Sequence, residues 1–595
     1  LYGITDFQNI KNKMTDIPDN WRLRCPLPDR DIKSGRRDPD SKKYSNSFLD
    51  ILALRKLFTE ESIEDFLNPQ IKSLHDPFLL SGMERGVKRL IKAIDSKEKI
   101  SVFGDYDADG VISSVLIYNF LRKLGINTDI YIPDRFEEGY DLSLDYIRFI
   151  TEKKKYSLVI SVDCGTNNHD VQQFLRDESA GPDVIVCDHH NASFKECPED
   201  ENYIIINPRL PGCDYPFKFL SGGGVSFKFI IGVLRKLNDD KKAFFDKNYL
   251  NSLLDLVAIS TIADVMPLNG ENRILVKKGL NRIKRTSNKG LKTLIETAIG
   301  NNPDIDEYDI GFIIAPRLNA AGRMKNAMDS FNLLSTEDKN FTSIAMKLEN
   351  FNKKRRDLQS EILEEILGSY DLEEIGRSKR IFIAYSHKWS EGVLGIVASE
   401  IVKRFNIPAI LFREKEGRLK GSGRSTPGFD LYGNLLGLKS LFERFGGHRQ
   451  ACGISMDIKL FEDFHKKFSN IAKREISPED LKKKYEYDLL HEFTEIDMKF
   501  IEELDLLKPY GESNPKPVFI TRDCTIKKLD FLKGEKHLKM TLEKDDIRFT
   551  GLIFNIDSRK KEIIKKKQMI HILYNLQLNI WKGSKSIQLI IKDIY

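Results

Sequence analysis

No stretch of this sequence approaches the roughly 20 uninterrupted apolar residues that a membrane helix needs, so no membrane partner is expected. The opening residues LYGITDFQNIKNK lack the basic, apolar and small-residue regions of a secretory signal. Leu1 stands where a start methionine would, leaving room for a missing methionine or a short leader. Cysteine is scarce: seven in 595 residues (Cys25, Cys164, Cys187, Cys197, Cys213, Cys452 and Cys524), an odd number with no Cys-x-x-Cys spacing. That pattern argues against a disulfide framework and a structural zinc site, and it points to a reducing cytoplasm. Walker A, His-Glu-x-x-His and serine-nucleophile arrangements are missing, as are internal repeats and low-complexity tracts. Strong net charge is missing too. A formal +6 permits a nucleic-acid partner without requiring one, so any basic stripe has to be local.

What is present suits a multidomain α/β protein of about three to five domains. Residues 1–75 form a polar lead-in. From Lys99 to Asp264, short apolar runs alternate with helical periodicity: SVF at 101–103, SLVISV at 157–162, DVIVC at 183–187 and NYIIIN at 202–207. Continuous apolar runs separated by helices indicate a parallel sheet covered on both faces. That domain is expected over 76–335. A charged stretch with few glycines over 336–376 reads as a long connecting helix. A second, smaller α/β unit runs over 377–477, starting from RIFIAY at 380–385. Over 478–595, several strand-like runs separated by short turns suggest a small antiparallel barrel.

The chemistry gathers at three strand ends. Asp105, Asp107 and Asp109 follow the first strand, Asp163 the second, and Asp188, His189 and His190 the third. In an open parallel sheet, ligands collect outside the carboxyl ends of the strands. Asp264, after the helix LLDLVAISTIA, can join them. One Asp-x-Asp-x-Asp run is ordinarily a solvated loop, but three acidic strand ends in succession are harder to dismiss. Several carboxylates share a site only when a cation neutralises them. Carboxylate with imidazole suits Mn²⁺, with Mg²⁺ as the alternative, and there are enough ligands for two ions. Cys164 and Cys187 flank these ligands but point to the opposite face by strand alternation, into the core.

These motifs resemble those of the DHH phosphoesterases. Gly104-Asp105-Tyr106-Asp107-Ala108-Asp109-Gly110, Val162-Asp163-Cys164-Gly165 and Asp188-His189-His190 look like their first three motifs. Ile262-Ala263-Asp264-Val265-Met266-Pro267-Leu268 and Ala315-Pro316-Arg317-Leu318-Asn319-Ala320-Ala321-Gly322-Arg323 are similar to the RecJ branch, bacterial single-strand-specific exonucleases. Gly421-Ser422-Gly423-Arg424-Ser425 and Gly446-Gly447-His448 resemble the accompanying DHHA1 domain, and the C-terminal barrel resembles the RecJ OB domain. The resemblance implies that Asp107 ligates one ion and Asp109 the other, that Asp163 bridges them, and that His189 and Asp264 complete the ligand set of the second ion. His190 then lies near the scissile phosphate. Many members carry His at the position of Phe103, so here Asp105 is the substitute ligand.

The resemblance also implies the substrate contacts. Arg135, Ser422 and Arg424 would hold a terminal 5′ phosphate. Ser221, Gly222 and Gly223, at a helix start, would offer backbone N–H groups to an anion. Arg317, Asn319 and Arg323, read as a loop, would wall the nucleotide site, with His448 as a further contact. Asp141 stands where the family has Gly, and Ser390 where it often has His. In the barrel, Lys560, Lys561, Lys565, Lys566 and Lys567 form a basic cluster, and Phe531, Phe549, Phe554 and Trp581 are aromatic candidates that we read as core. The implied activity is 5′-to-3′ digestion of single-stranded DNA to mononucleotides by a cytoplasmic monomer. Its partners would be a single-strand-binding protein and a RecQ-type helicase, in recombination and repair. The alternatives are a related phosphoesterase acting on short RNA, cyclic dinucleotides or pyrophosphate, and a non-catalytic DNA-binding scaffold.

Overall fold

The computed structural model describes residues 17–24, 43–135, 138, 141–153, 156–177, 181–198, 200–239, 247–300, 304–335, 340–532, 534–581 and 583–595. Cys25, with residues 1–16 and 26–42 of the polar lead-in, lies outside the described residues. The chain divides into two compact units. One holds Gln70–Leu481 with Gly511–Ser513, and the other holds Leu1–Pro69, Lys482–Tyr510 and Asn514–Tyr595.

The larger unit begins with a parallel five-stranded sheet: β1 (Ile100–Gly104), β2 (Thr128–Tyr131), β3 (Leu158–Val162), β4 (Asp183–Cys187) and β5 (Tyr203–Ile206). Its order is β2-β1-β3-β4-β5. The chain steps one way from β1 to β2 and then the other way to β3, which makes the gap between β1 and β3 the topological switch point. β1, β3 and β5 are buried throughout, as continuous apolar runs require. Cys164 and Cys187 are buried with them. β2 is the half-exposed edge, and its sequence, TDIY, gives no apolar run to detect.

Three helices set the site. α1 (Ala108–Lys123) starts at Asp107, whose side chain caps it. α2 (Gly222–Asp239) and α3 (Lys247–Ala263) both pack against α1. Further on come α4 (Ala315–Met324) and α5 (Phe341–Ser369). The connecting stretch is not one helix. α5 ends at Ser369, and Asp371 caps a second, short helix over Leu372–Ser378. The second sheet follows: β6 (Phe382–Ser386), helix α6 (Glu391–Phe405), β7 (Ala409–Lys415), β8 (Arg418–Arg424), β9 (Arg444–His448) and β10 (Ala451–Asp457). Its order is β9-β10-β8-β7-β6. Only the β6–β7 pair is parallel.

The smaller unit is a closed barrel. Its strands are β11 (Phe519–Leu532), β12 (His537–Lys544), β13 (Ile547–Phe554), β14 (Met569–Trp581) and β15 (Ser584–Ile594). They pair in the order β11-β12-β13-β15-β14, and β14 pairs back onto β11. Phe48, Ile51, Leu52 and Leu67, from two helices near the N-terminus, share its core with Phe519, Met540, Tyr574 and Leu589. Among the described residues, no helix is long and apolar enough to cross a membrane.

Candidate active site

Strand register builds the site. Gly104 pairs with Val162, Val162 with Cys187, and Cys187 with Ile206, so β1, β3, β4 and β5 end in one row. The next residue on each strand is Asp105, Asp163, Asp188 or Asn207. The ladder continues past that row, with Asp163 N–H donating to the Cys187 carbonyl at 2.9 Å and Asp188 N–H to the Ile206 carbonyl at 3.1 Å. Asp163 leaves its strand with φ +61°, a left-handed turn that aspartate tolerates better than most residues.

Backbone N–H groups hold Asp107, Asp109 and Asp188. Asp107 Oδ1 accepts N–H bonds from Asp109 (2.9 Å) and Gly110 (3.1 Å). Asp109 accepts from Gly222 N (2.8 Å), Gly223 N (2.9 Å) and Ser260 Oγ (2.5 Å). This corrects the expectation for Ser221, Gly222 and Gly223. The anion at the start of α2 is the Asp109 carboxylate, and Ser221 is buried with its Oγ 2.8 Å from Ser260 Oγ. Glycine is required at 222 because a Cβ there would lie 2.8 Å from Asp163 Cβ. Asp188 turns inward to orient its neighbours. Its Oδ1 accepts from His189 N at 2.7 Å and lies 2.8 Å from His190 Nδ1.

His189 Nε2 lies 3.1 Å from Asp163 Oδ1, 3.5 Å from Asp264 Oδ2 and 3.8 Å from Asp109 Oδ2. Three overlapping sets of donor atoms fall within 4.8 Å of one another: Asp105, Asp107 and Asp163; Asp109, His189 and Asp264; and Asp163, Asp188, His189 and His190. The first two sets divide the carboxylates between two positions, with Asp163 facing both. Phe103 takes no part in them. It is fully buried, with ring centroids 5.6 Å from Tyr131 and 5.2 Å from Tyr146.

The electrostatics call for cations. Burial first, then the Asp107 charge, drives Asp105 well above the ordinary carboxylate range. Burial and then the charges of Asp109, Asp107 and Asp264 do the same to Asp163. Burial followed by Asp109 and Asp107 pushes Asp264 up to about 8. Burial pushes His189 down to about 4, which keeps the imidazole neutral and able to ligate. Asp105 Oδ1 and Asp264 Oδ2 are buried without a hydrogen-bond partner. Buried carboxylates with spare lone pairs and mutual repulsion fit divalent cations. His190 behaves differently. Burial opposes its charge, but the bond to Asp188 and the charges of Asp188, Asp264 and Asp105 raise it to about 9.

Beside the acidic row lies a group of arginines. The Arg135 guanidinium stacks over the Tyr106 ring at 5.1 Å. Burial lowers Arg323, and the charges of Arg135, Arg355 and Arg424 add to that, partly offset by Asp107. Arg424 Nη1 donates to Ser422 Oγ at 2.9 Å and to the Gly423 carbonyl at 2.7 Å. A Cβ at Gly395 on α6 would sit 2.8 Å from Arg424 and 3.0 Å from Ser422 Oγ, so α6 closes over this pair. Such a cluster of half-buried cations suits phosphate. Sequence reading missed Arg355, which lies in a run of four basic residues on α5. Asn352 Oδ1, itself buried, accepts from two of its nitrogens at 3.2 and 3.0 Å.

Two expected contacts are corrected. Arg317, Asn319 and Arg323 lie on α4, not in a loop; α4 continues a helical run from Glu307 through a π-turn over Ile310–Ile314, and Pro316 falls just after that wider turn. Arg317 is turned away and paired with Glu349 on α5 and the Ile313 carbonyl. Asn319 Oδ1 accepts from Ala108 N at 2.8 Å, anchoring the start of α1. His448 is exposed on β9, in the same cross-strand row as Ala451 and Arg424. That row puts it on the Arg424 face, about 10 Å away. Asp141 has φ +87°, which explains why glycine suits the position.

In the barrel unit, Phe531, Phe554 and Trp581 are 43, 56 and 70% exposed, correcting their assignment to the core; only Phe549 packs against it. Lys560 is buried against Asp557 and Asp593, so it is structural. Lys561 pairs with Glu535 and lies 5.9 Å over Phe531, Lys566 pairs with Glu562, and Lys567 lies over Tyr595.

Comparison with known proteins gives three domain matches: the DHH family N-terminal domain over residues 99–261, the DHHA1 domain over 378–474, and the RecJ OB domain over 487–593. The single-stranded-DNA-specific exonuclease RecJ of Bacillus subtilis (strain 168) is 36% identical over 91% of this chain and 67% of its own length. The enzyme of the same name from Haemophilus influenzae is 34% identical over 89% of this chain and 93% of its own length. The crystal structure of RecJ from Thermus thermophilus with Mn²⁺ has a TM-score of 0.81 at 27% identity, over 97% of this chain and 80% of that one. The same protein with Mg²⁺ has a TM-score of 0.76 at 26% identity, over 96% and 78%.

Proposed function

The chain belongs to the RecJ family of DHH-type single-stranded-DNA-specific exonucleases, and from that premise we propose how its residues do the work. It is a hydrolase that degrades single-stranded DNA with Mn²⁺ or Mg²⁺ as cofactor. The observation that carries the residue assignment is the single row of strand ends with repelling, buried carboxylates. Asp105, Asp107 and Asp163 would hold one ion, and Asp109, His189, Asp264 and the shared Asp163 the other. Bound ions supply charge neutralisation and a nucleophile at neutral pH.

The chain's own groups do the rest. Arg135, Arg323, Arg424 and Ser422, with Arg355 beside them, form a pocket for the 5′ phosphate. That pocket sets the first phosphodiester over the acidic row and imposes 5′-to-3′ polarity. Hydrolysis breaks the bond between phosphorus and the 3′ oxygen of the terminal nucleotide. His190, held through Nδ1 by Asp188 and raised to about 9, would give a proton to that departing oxygen. The product is a 5′-mononucleotide, and the shortened strand again carries a 5′ phosphate. His448 would touch the strand from the Arg424 face. The domain limits given above, a monomeric state, a cytoplasmic location, and single-strand-binding protein and a RecQ-type helicase as partners belong to the same reading.

The test uses end-labelled single-stranded DNA, short RNA and pyrophosphate with Mn²⁺, with and without chelator, on the intact protein and Asp163→Ala. Metal-dependent, 5′-first digestion of DNA that Asp163→Ala abolishes is expected. Digestion from the 3′ end, or cleavage that survives chelation, would overturn the reading.

A further inference from the structure

At the far end of the sheet from the arginine pocket stands a cation that the proposed reaction leaves unused. Arg209 follows β5, just as Arg135 follows β2. With the order β2-β1-β3-β4-β5, the carboxyl edge runs from Arg135 past Asp105 and Asp107, Asp163, and Asp188 and His189 to Arg209. Cations therefore bracket the acidic row, across about 19 Å at four strand spacings.

Arg209 is built in as a binding group would be. Its backbone N–H donates to Asn207 Oδ1 at 2.8 Å, and Asn207 Nδ2 donates to the His190 carbonyl at 2.8 Å. Nη1 reaches Asn191 Oδ1 at 3.4 Å, beside His190, and Nε donates to the Lys218 carbonyl at 3.1 Å. The guanidinium stacks 5.5 Å from the ring centroid of Phe219, an aromatic that is 45% exposed. Asn272 Nδ2 donates to both the Phe219 and Pro267 carbonyls, tying this floor to the loop that carries Asp264. Among the described residues, no carboxylate lies within ion-pairing distance of Arg209. Burial works against its charge, Asp264 and Asp188 offset part of that from beyond ion-pairing distance, and a phosphate oxygen would complete the offset.

We propose that Arg209, held flat on Phe219, binds the phosphodiester between the second and third nucleotides, the first backbone phosphate on the 3′ side of the bond being cut. This rests on the exonuclease reading and deepens it. One end of the edge grips the terminal phosphate, the middle holds the reacting one, and Arg209 grips the strand that stays bound. The guanidinium can offer its remaining N–H donors to phosphate oxygens.

The test compares 5′-phosphorylated di- and trideoxynucleotides with Mn²⁺. The dinucleotide has the scissile phosphodiester and lacks the next one; the trinucleotide has both. In Arg209→Ala, the ratio of kcat/KM for trinucleotide over dinucleotide should fall at least tenfold, with Arg209→Lys in between. A ratio equal to wild type, whether both substrates are slowed together or neither is, overturns the subsite alone. Wild-type protein that cleaves no DNA overturns the exonuclease reading and the subsite with it.

Discussion

Gly222→Ala separates two physical rules that point in opposite directions. Gly222 opens α2, and alanine is a better helix former by about 1 kcal/mol, so propensity alone predicts a more stable protein. Sterics predict damage. The added Cβ would lie 2.8 Å from Asp163 Cβ and 2.9 Å from its Oδ1. Carbon pairs rest at about 3.5–4.0 Å, so the two must part by roughly 1 Å. Neither can move alone. The Gly222 N–H is bonded to Asp109, and Asp163 sits at a fixed strand end, so the shift reaches both candidate metal positions. A 1 Å misplacement of reacting groups costs on the order of 100-fold in rate. We expect kcat on 5′-phosphorylated single-stranded DNA with Mn²⁺ to fall about 100-fold, with weaker Mn²⁺ binding by calorimetry. Gly224→Ala is the control. Its closest neighbour would be the Leu220 side chain at 3.3 Å, so its rate should stay within about threefold. If Gly222→Ala keeps wild-type kcat, the crowding argument is wrong.

Other consequences follow. Asp264 is raised to about 8, so metal-free stability is full below its unfolded value near 4 and is lost as pH rises through 8. A bound cation cancels that loss, so the Mn²⁺-induced rise in Tm should be larger at pH 8.5 than at pH 5.5; equal rises would refute it. His491 is buried between Phe500 and Phe519 with both ring nitrogens unpaired, and burial lowers it. The barrel should therefore lose stability as pH falls below about 6.5, and His491→Phe should flatten that slope in a urea titration. Asp141→Gly removes a left-handed, side-chain-bearing residue and should raise unfolding free energy by about 1 kcal/mol. Arg317→Gln removes the nearer of the two arginines paired with Glu349 and leaves Arg356 at 3.8 Å. It should cost about 1–3 kcal/mol of stability while kcat stays within about threefold, whereas Arg323→Gln should raise KM for 5′-phosphorylated DNA.

The sheet was legible where burial was complete. β1, β3, β4 and β5 announce themselves as apolar runs, whereas β2 does not, because an edge strand with Thr and Asp has no such signal. The acidic row was legible because the residue after each strand is chemically conspicuous. Roles decided by contacts were not. Nothing in Ser221–Gly224 says that its anion is Asp109 rather than a phosphate, since 113 residues separate the partners. Arg317 and Arg323 are six positions apart on one helix, yet one pairs with Glu349 and the other lies among Arg135, Arg355 and Arg424. Arg355 was hidden inside a basic run that reads as a solvated helix face until Asn352 fixes it.

The barrel closes around two chain segments that the whole larger unit separates in sequence. Phe48, Ile51, Leu52 and Leu67 complete a core with residues drawn from Phe493 to Ile594. At about 5–20 residues per second, the ribosome needs roughly 25 to 105 s to supply those partners. For that interval the two N-terminal helices hold an apolar face with nothing to cover it, while the whole nuclease unit can fold between them. Biogenesis of this chain is therefore a waiting problem, in which those two helices become native only once the barrel strands emerge, and a holding chaperone has its natural client.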